Sequence, residues 1–203
     1  MAHSTIPPHI LKELKRLEPG AQFSGVLPQV SSSSGKSYYA KAGSSKEREH
    51  YVGEAEALKA MALAAPGLAP SLLALKFVNE RGEETENSGA IPVFISEYKD
   101  ITTLTERSGA ILGKRLAEEL HSCTSSKGYG FEVPTFCGAT RLRNGWYETW
   151  ERCFDTLIGD LLSTLSARGG HSDLCRKGQD VRTRRVSESP TPFKQLTWIS
   201  LLE

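Results

Sequence analysis

The sequence predicts an α+β fold, in which an antiparallel sheet with one helix across it precedes a helical region. Strand-forming residues are concentrated in residues 37–41, 72–78 and 91–98. An apolar helical face runs through residues 47–64, between the first two of these strands. From about Ser108 onward the apolar residues recur at helical spacing. The sheet is therefore expected to end before this point.

The composition is that of a soluble globular protein. The 203 residues are 38% hydrophobic and 24% charged, with a formal net charge of +1. This charge argues against a general nucleic-acid-binding role but leaves room for a local anion site. No run approaches the roughly 18 apolar residues of a membrane span, and the N-terminus lacks the apolar stretch of a secretory signal. We expect a cytoplasmic protein that contacts neither nucleic acid nor membrane.

The four cysteines indicate neither a redox motif nor a metal site. They include no CxxC pair and stand at Cys123, Cys137, Cys153 and Cys175. His121 lies close to Cys123, and His171 lies close to Cys175, but each pair offers too few ligands for zinc. We therefore expect reduced thiols and no metal ligands among these residues.

The first predicted elements are a helix and a β-hairpin, and proline and glycine residues mark their ends. A helix over residues 9–17 begins after Pro7-Pro8 and ends before Pro19-Gly20, and we expect it to pack on the domain. Residues 22–42 predict a β-hairpin, with a flexible polar turn at 31–35.

The sheet continues with one helix and two strands. The helix over residues 47–64 has an apolar face made of Tyr51, Ala55, Leu58 and Ala62. Pro66-Gly67 ends it. The strands are predicted at 72–78 and 91–98, where Ile91, Val93 and Ile95 alternate, with an acidic loop at 79–89 between them.

The second half of the sequence is predicted to be helical. An apolar stripe at i, i+4 and i+8 is formed by Leu112, Leu116 and Leu120. A glycine-containing loop over about 128–138 precedes a helix at 146–165. Residues 187–192 are turn-like, and 197–202 form a short apolar tip.

Lys41 is the first candidate for chemistry. It stands on a predicted strand, and the helix that follows carries Glu54. A strand lysine that reaches ATP phosphates, held by a helix glutamate, is how kinases bind nucleotide. Taken alone, this pair is better explained as two solvated surface charges. A phosphate-covering loop is poorly supported, because Gly25 is the only glycine near the end of the first strand and Gly35 belongs to the distal turn.

Several segments carry a more specific pattern when they are read in order. They are Tyr39-Ala40-Lys41, residues 53–58 (GEAEAL), residues 94–98 (FISEY), residues 112–121 (LGKRLAEELH), Tyr129-Gly130-Phe131, Cys137-Gly138 and residues 144–150 (NGWYETW). Together they resemble the fructosamine-3-kinase family, also called ketosamine or protein-ribulosamine 3-kinases. The helix at 112–121 resembles the family pattern LGxxLAxLH, with one extra residue before His121. The block at 130–150 is the most distinctive part, because generic kinases lack it.

The resemblance covers roughly residues 23–182 and implies a protein-kinase-like fold related to aminoglycoside phosphotransferases. Such a fold has an N-lobe of antiparallel sheet plus helix and then a helical C-lobe. The family transfers the ATP γ-phosphate to the 3-hydroxyl of a ketosamine on a glycated protein lysine, and the unstable adduct then leaves. The resemblance implies ATP and Mg²⁺ as cofactors, glycated proteins as partners, and a monomer when full-length.

Site residues are carried over by position. Lys41 is implied to contact ATP phosphates and Glu54 to pair with it. Glu97, Tyr98 and Lys99 are implied to form the hinge against adenine. Residues 144–150 are implied to support the C-lobe and border the substrate cleft.

The resemblance assigns no catalytic residue. The family loop His-Gly-Asp-Leu-Trp-(Ser/Gly)-Gly-Asn supplies an aspartate base and a metal-binding asparagine. Residues 170–174 imitate its start, but Ser172 replaces the glycine and Gly178 stands where the asparagine belongs. Residues 171–182 instead resemble the family's linker helix. The chain is therefore expected to be a C-terminally truncated member, inactive alone.

The expected organisation is an N-lobe at 1–100, a partial helical C-lobe at 101–183 and a disordered non-family tail at 184–203. Two other functions stay open. One is a non-catalytic fragment that binds nucleotide or a partner. The other is a small-molecule kinase of the aminoglycoside or choline type, which the block at 130–150 disfavours. The choice between ribulosamine and fructosamine also stays open.

Overall fold

The structure is a computed structural model that describes residues 6–187, with side chains as far as residue 183. The predicted turn at 187–192 and the apolar tip at 197–202 therefore lie outside the described residues, apart from Ser187. The described chain divides into two compact units. Unit 1 is Met1–Ala62 with Pro66–Ala110, and unit 2 is Leu63–Ala65 with Ile111–Glu203. Within residues 6–187, no helix has the length and apolar character needed to cross a membrane.

Unit 1 is a five-stranded antiparallel sheet with a helix on each face. Its strands are β1 (Phe23–Val26), β2 (Gln29–Ser32), β3 (Ser37–Ala42), β4 (Leu72–Val78) and β5 (Ile91–Glu97). They lie in the order β1-β2-β3-β5-β4. The two helices are α1 (Pro8–Leu17) and α2 (Arg48–Ala64). The predicted α+β fold is confirmed.

The two faces of the sheet bury different residues, because successive side chains of a strand point to opposite sides. On one face, Ile10 and Leu14 of α1 pack with Ala40 and Ile95 in the main apolar core. On the other face, Tyr51 and Ala55 of α2 pack with Phe94. The sequence predicted only one helix across the sheet. In the structure α1 covers the second face, which agrees with its predicted packing on the domain.

The predicted hairpin at 22–42 was wrong in its number of strands. The chain forms three strands here, with a tight turn at Leu27-Pro28 between β1 and β2. The serine-rich segment assigned to a turn begins inside β2, where Ser31 pairs with Ser24 and Ser37. Val30 is the only fully buried apolar side chain of β2, so the segment has little of the apolar alternation that marks a strand.

Unit 2 contains helices and two small sheets. Helix α3 (Glu106–Arg115), which begins in unit 1, continues as one π-helical turn at Leu116–Leu120. The strands β6 (Tyr129–Phe131) and β9 (Gly145–Tyr147) pair with each other, and β7 (Thr135–Cys137) pairs with β8 (Thr140–Leu142). Helices α4 (Trp150–Arg168) and α5 (Ser172–Ser187) end the described chain. The strands β6 and β7 correct the loop predicted at 128–138, and β9 occupies the start of the helix predicted at 146–165, which begins instead at Trp150.

The helices α4 and α5 pack closely against each other. Arg182 of α5 donates two hydrogen bonds to Asp155 of α4, at 2.7 and 2.8 Å. A methyl group at Gly178 would lie 2.5 Å from Cδ2 of the buried Leu162. Helix α5 covers the linker helix predicted at 171–182, and Asp173 lies in its first turn, bonded to Arg176. The sequence resembling a catalytic loop at residues 170–174 therefore leads into a helix.

Candidate functional site

The strand β3 and the helix α2 bring Lys41 and Glu54 together. Lys41 Nζ lies 2.6 Å from Glu54 Oε2, and both side chains are about two-thirds covered. Lys41 points to the α2 face because its neighbour Ala40 is buried on the opposite face. Helix α2 begins soon after β3 ends, so Glu54 reaches the strand in its second turn. The pair therefore has the geometry of a lysine held by a helix glutamate.

Three aromatic rings surround the Lys41 ammonium. Its nitrogen lies 4.9 Å from the ring centre of Tyr51, 5.0 Å from that of Phe94 and 5.9 Å from that of Tyr39. Phe94 is the cross-strand partner of Lys41, and Tyr51 lies one helical turn before Glu54. From the sequence, Tyr51 is predicted only to be part of an apolar helical face. The i, i+3 spacing of Tyr51 and Glu54 was the signal for a shared role.

The implied hinge residues span the end of β5, whose last residue is Glu97. The Glu97 N–H donates to Ser71 at 2.9 Å, and the Tyr98 N–H donates to Ser37 at 3.4 Å. The carboxylate of Glu97 accepts a hydrogen bond from Lys99 at 2.6 Å. This bond holds the pKa of Glu97 below its usual range. The segment is thereby fixed to the ends of the neighbouring strands.

A cavity of about 910 Å³ lies at this end of the sheet. Its lining includes Gln29, Ser37, Glu97, Tyr98 and Asp100. The cavity therefore includes two of the three implied hinge residues, but Lys99 and the Lys41–Glu54 pair are not part of its lining.

The register of the sheet relates the cavity to Lys41. Lys41 pairs with Phe94, and Tyr38 pairs with Glu97. The ion pair and the implied hinge are therefore three positions apart along β3. This is about 10 Å of strand, which is comparable to the reach from the adenine ring to the phosphates of an extended ATP. Ser37 and Lys41 are four positions apart on β3. Because side chains alternate between the two faces of a strand, these two lie on the same face. The ion pair and the cavity therefore lie about 10 Å apart along the same strands.

The turn between β1 and β2 offers no glycine-rich phosphate loop. Gly25 has φ +137°, and a methyl group there would lie 2.5 Å from the carbonyl oxygen of Gln29. Its lack of a side chain therefore allows the two strands to approach closely. Gly35 lies in the turn between β2 and β3, as the sequence predicted. The β1–β2 turn therefore provides no backbone nest for a phosphate, and Lys41 stays the predicted phosphate-binding group.

The resemblance implies ATP and Mg²⁺, and the described residues can be compared with what each group needs. The Lys41 ammonium and the hinge cavity match the phosphate and base ends of ATP. For a metal, residues 6–187 contain no group of three or more His, Cys, Asp or Glu placed to hold one ion.

The block at 130–150 builds the small sheets of unit 2. Asn144, with φ 55°, donates its side-chain amide to the Val133 carbonyl at 2.7 Å and to Thr135 Oγ1 at 3.0 Å. Trp146 Nε1 donates to Glu132 at 3.1 Å. A side chain at Gly130 would overlap the Gly145 carbonyl of the paired strand. These residues hold β6, β7 and β9 in place, so their observed contacts are structural.

His121, Cys137 and His171 are not brought into a common cluster. His121 ends the π-helical turn, Cys137 is exposed at the end of β7, and His171 lies directly before α5. Cys153 is the buried cysteine, and burial raises the pKa of its thiol. All four residues belong to unit 2.

Comparisons with known proteins give two informative matches. The family model for fructosamine kinase matches residues 22–191. The crystal structure of a putative fructosamine-3-kinase from Haemophilus somnus 129PT aligns with a TM-score of 0.61 and 18% sequence identity. The alignment covers 85% of this chain and 54% of that protein, so the chain spans about half the length of this structural relative. No curated protein gives a significant match.

Proposed function

The chain belongs to the fructosamine kinase family, and from this premise we propose that it serves ATP-dependent phosphorylation of protein-bound ketosamines. The mixed α/β fold is kinase-like, and the family is one of ATP-using kinases. The acceptor in this proposal is the 3-hydroxyl of a ribulosamine or fructosamine on a glycated lysine. Phosphorylation there leads to loss of the sugar and return of the free amine. The expected setting is a cytoplasmic monomer acting on glycated proteins.

The Lys41–Glu54 pair carries the proposal. Bound ATP would supply the γ-phosphoryl group. The Lys41 ammonium would neutralise phosphate charge, and Glu54 would hold that ammonium in place at 2.6 Å. The backbone around Glu97, Tyr98 and Lys99 would receive the adenine ring in the hinge cavity. The described residues thus bind and orient the nucleotide, while the acceptor and its base are outside what they provide.

Nucleotide binding tests this assignment directly. In calorimetric titrations with ATP, we expect the Lys41→Met variant to bind at least about tenfold more weakly than wild type, because a charged hydrogen bond contributes about 1.5–3 kcal/mol. Lys76→Met is the matched control. Lys76 is also a strand lysine paired with a glutamate, Glu84, at 3.1 Å, but it lies on the α1 face of the sheet. Its loss should leave the ATP dissociation constant within about twofold.

Phosphoryl transfer is measured separately with labelled Mg²⁺-ATP and a protein carrying ribulosamine-lysine. Transfer that depends on Lys41 would support the proposed chemistry and would contradict the expectation that this chain is inactive alone. Binding without transfer would favour the nucleotide-binding fragment left open by the sequence. Absence of ATP binding by the wild-type chain would contradict the proposed function.

A further inference from the structure

The Lys41 ammonium is surrounded by aromatic side chains as well as paired with a carboxylate. Cations are attracted to the faces of aromatic rings within about 6 Å of the ring centre. The rings of Tyr51, Phe94 and Tyr39 all lie within this distance of Lys41 Nζ. We propose that Tyr51 is a positioning residue of the nucleotide site, which holds the Lys41 ammonium toward the phosphates through its ring face. This inference rests on the proposed function.

Tyr51 and Glu54 approach the ammonium from the same helix. They are three residues apart on α2, so they share one helical face. Glu54 makes the hydrogen bond at 2.6 Å, and the Tyr51 ring lies 4.9 Å away. Any movement of α2 would therefore carry both partners of Lys41 together. The position of this helix thus determines the position of the ammonium.

The surroundings of Tyr51 keep its ring in place. Its side chain is 7% exposed and makes an edge contact with the buried Phe94. At the end of β3, Gly43 leaves the space that the ring occupies, because a methyl group there would lie 2.7 Å from Tyr51 Cε2. The strand, the ring and the ammonium therefore form one packed unit on the α2 face of the sheet.

The ring, rather than the hydroxyl, is the group that matters to Lys41. Burial, followed by the nearby Glu47 and Glu54 carboxylates, raises the pKa of Tyr51 to about 12. The side chain is then neutral at physiological pH, and it offers Lys41 a ring face instead of a phenolate charge. Phenylalanine should substitute for it, whereas leucine, which has no aromatic ring, should not.

The test measures how phosphate-bearing ligands bind to the full chain. ATP, ADP and adenosine are titrated into wild type, Tyr51→Phe and Tyr51→Leu, each also in a Lys41→Met background. We expect Tyr51→Leu to weaken ATP and ADP binding by about 3- to 30-fold and to leave adenosine unchanged. Tyr51→Phe should stay within about twofold of wild type. In the Lys41→Met background, neither Tyr51 substitution should weaken ATP or ADP binding any further.

Different results would overturn the inference. Equal weakening of adenosine and ATP by Tyr51→Leu, or a full additional loss in the Lys41→Met background, would mean that Tyr51 only packs the domain. If wild type binds ATP through Lys41 and Tyr51→Leu has no effect, the inference fails while the proposed function holds.

An NMR measurement without ligand tests the contact between Lys41 and the rings even if the chain does not bind ATP. In ¹³C-lysine-labelled protein, the Lys41 ε-protons should be shifted upfield by the rings, with the signal assigned through Lys41→Met. Tyr51→Leu should remove most of this upfield shift, and Tyr51→Phe should keep it. An unshifted Lys41 signal in the wild-type protein would overturn the inference, even if ATP does not bind. Tyr51→Met replaces the leucine variant if circular dichroism shows that the latter is unfolded.

Discussion

At the scale of single residues, Tyr38 connects the sheet to the N-terminal helix. Its hydroxyl donates to the Glu18 carboxylate at 2.8 Å, directly after the end of α1. The side chain is 5% exposed and belongs to the main apolar core. Burial, followed by the bond to Glu18, raises the pKa of Tyr38 to about 12. The folded protein thus favours the neutral phenol beyond the pH at which an unfolded tyrosine ionises, about 10.

The raised pKa predicts how stability changes in alkali. Because the unfolded tyrosine loses its proton first, the contribution of Tyr38 is complete below pH 10 and is lost as the pH rises from 10 to 12. Tyr38→Phe should be less stable than wild type by about 1 kcal/mol at pH 8, and this difference should shrink over that interval. Urea unfolding of wild type and Tyr38→Phe at each pH measures this difference in free energy of unfolding. The titration of the other groups is common to both proteins and cancels in the difference. A difference that stays constant up to pH 12 would contradict the shift.

At the scale of elements, strongly patterned segments were predicted best. The strand β4 has the predicted bounds, β5 ends one residue before its predicted end, and α2 begins one residue after its predicted start. The helix over the stripe Leu112, Leu116 and Leu120 is present, but it ends in a π-helical turn. There the His121 N–H donates to the Leu116 carbonyl five residues earlier, at 2.9 Å. The extra residue before His121 was the available signal, because a π turn holds one residue more than an α turn.

The strands of unit 2 could not be predicted from apolar pattern. β6 to β9 have three residues each, too few for an alternation to be recognised. Their positions depend on backbone contacts, such as that between Gly130 and the Gly145 carbonyl, and on the side-chain amide of Asn144. A glycine required for close approach looks the same in a sequence as a glycine in a loop.

The pairing of α4 and α5 gives a prediction about helical glycines. Alanine normally stabilises an exposed helical position by about 0.5–1 kcal/mol over glycine. Gly113→Ala should show this gain, because nothing lies within 4 Å of the added methyl. Gly178→Ala should instead destabilise the chain, by about 1 kcal/mol or more, because its methyl meets Leu162. Denaturant midpoints of the two variants compare them, and a similar gain in both would contradict the observed helix packing.

At the scale of the whole molecule, the candidate site belongs to unit 1. Lys41, Glu54 and the residues that line the hinge cavity all lie within Met1–Ala62 and Pro66–Ala110. The sequence and its resemblance assign roles to Lys41, Glu54 and residues 97–99 from their order along the chain, and these roles stay predictions. The aromatic surroundings of Lys41 depend on the register between β3 and β5 and on the rotation of α2, so no single segment of sequence specified them.

This arrangement predicts that stability and nucleotide binding respond to different substitutions. Arg182→Met breaks the two bonds to Asp155 between α4 and α5, and we expect it to lower the free energy of unfolding by about 1 kcal/mol. Its ATP dissociation constant should stay within about twofold of wild type, because the bond lies in unit 2. Arg176→Met is the control on the same helix, since the ion pair of Arg176 with Asp173 is exposed and should contribute little.

Lys41→Met should show the opposite pattern, with weak ATP binding and a smaller change in stability. Its ion pair with Glu54 is partly exposed, so its loss costs folding little, whereas phosphate binding loses a charged partner. Calorimetric titration with ATP and urea unfolding, applied to all three variants, separate the two effects. If Arg182→Met weakens ATP binding as much as Lys41→Met does, the nucleotide-binding site is not confined to unit 1. The assignment of the site to that unit would then have to be abandoned.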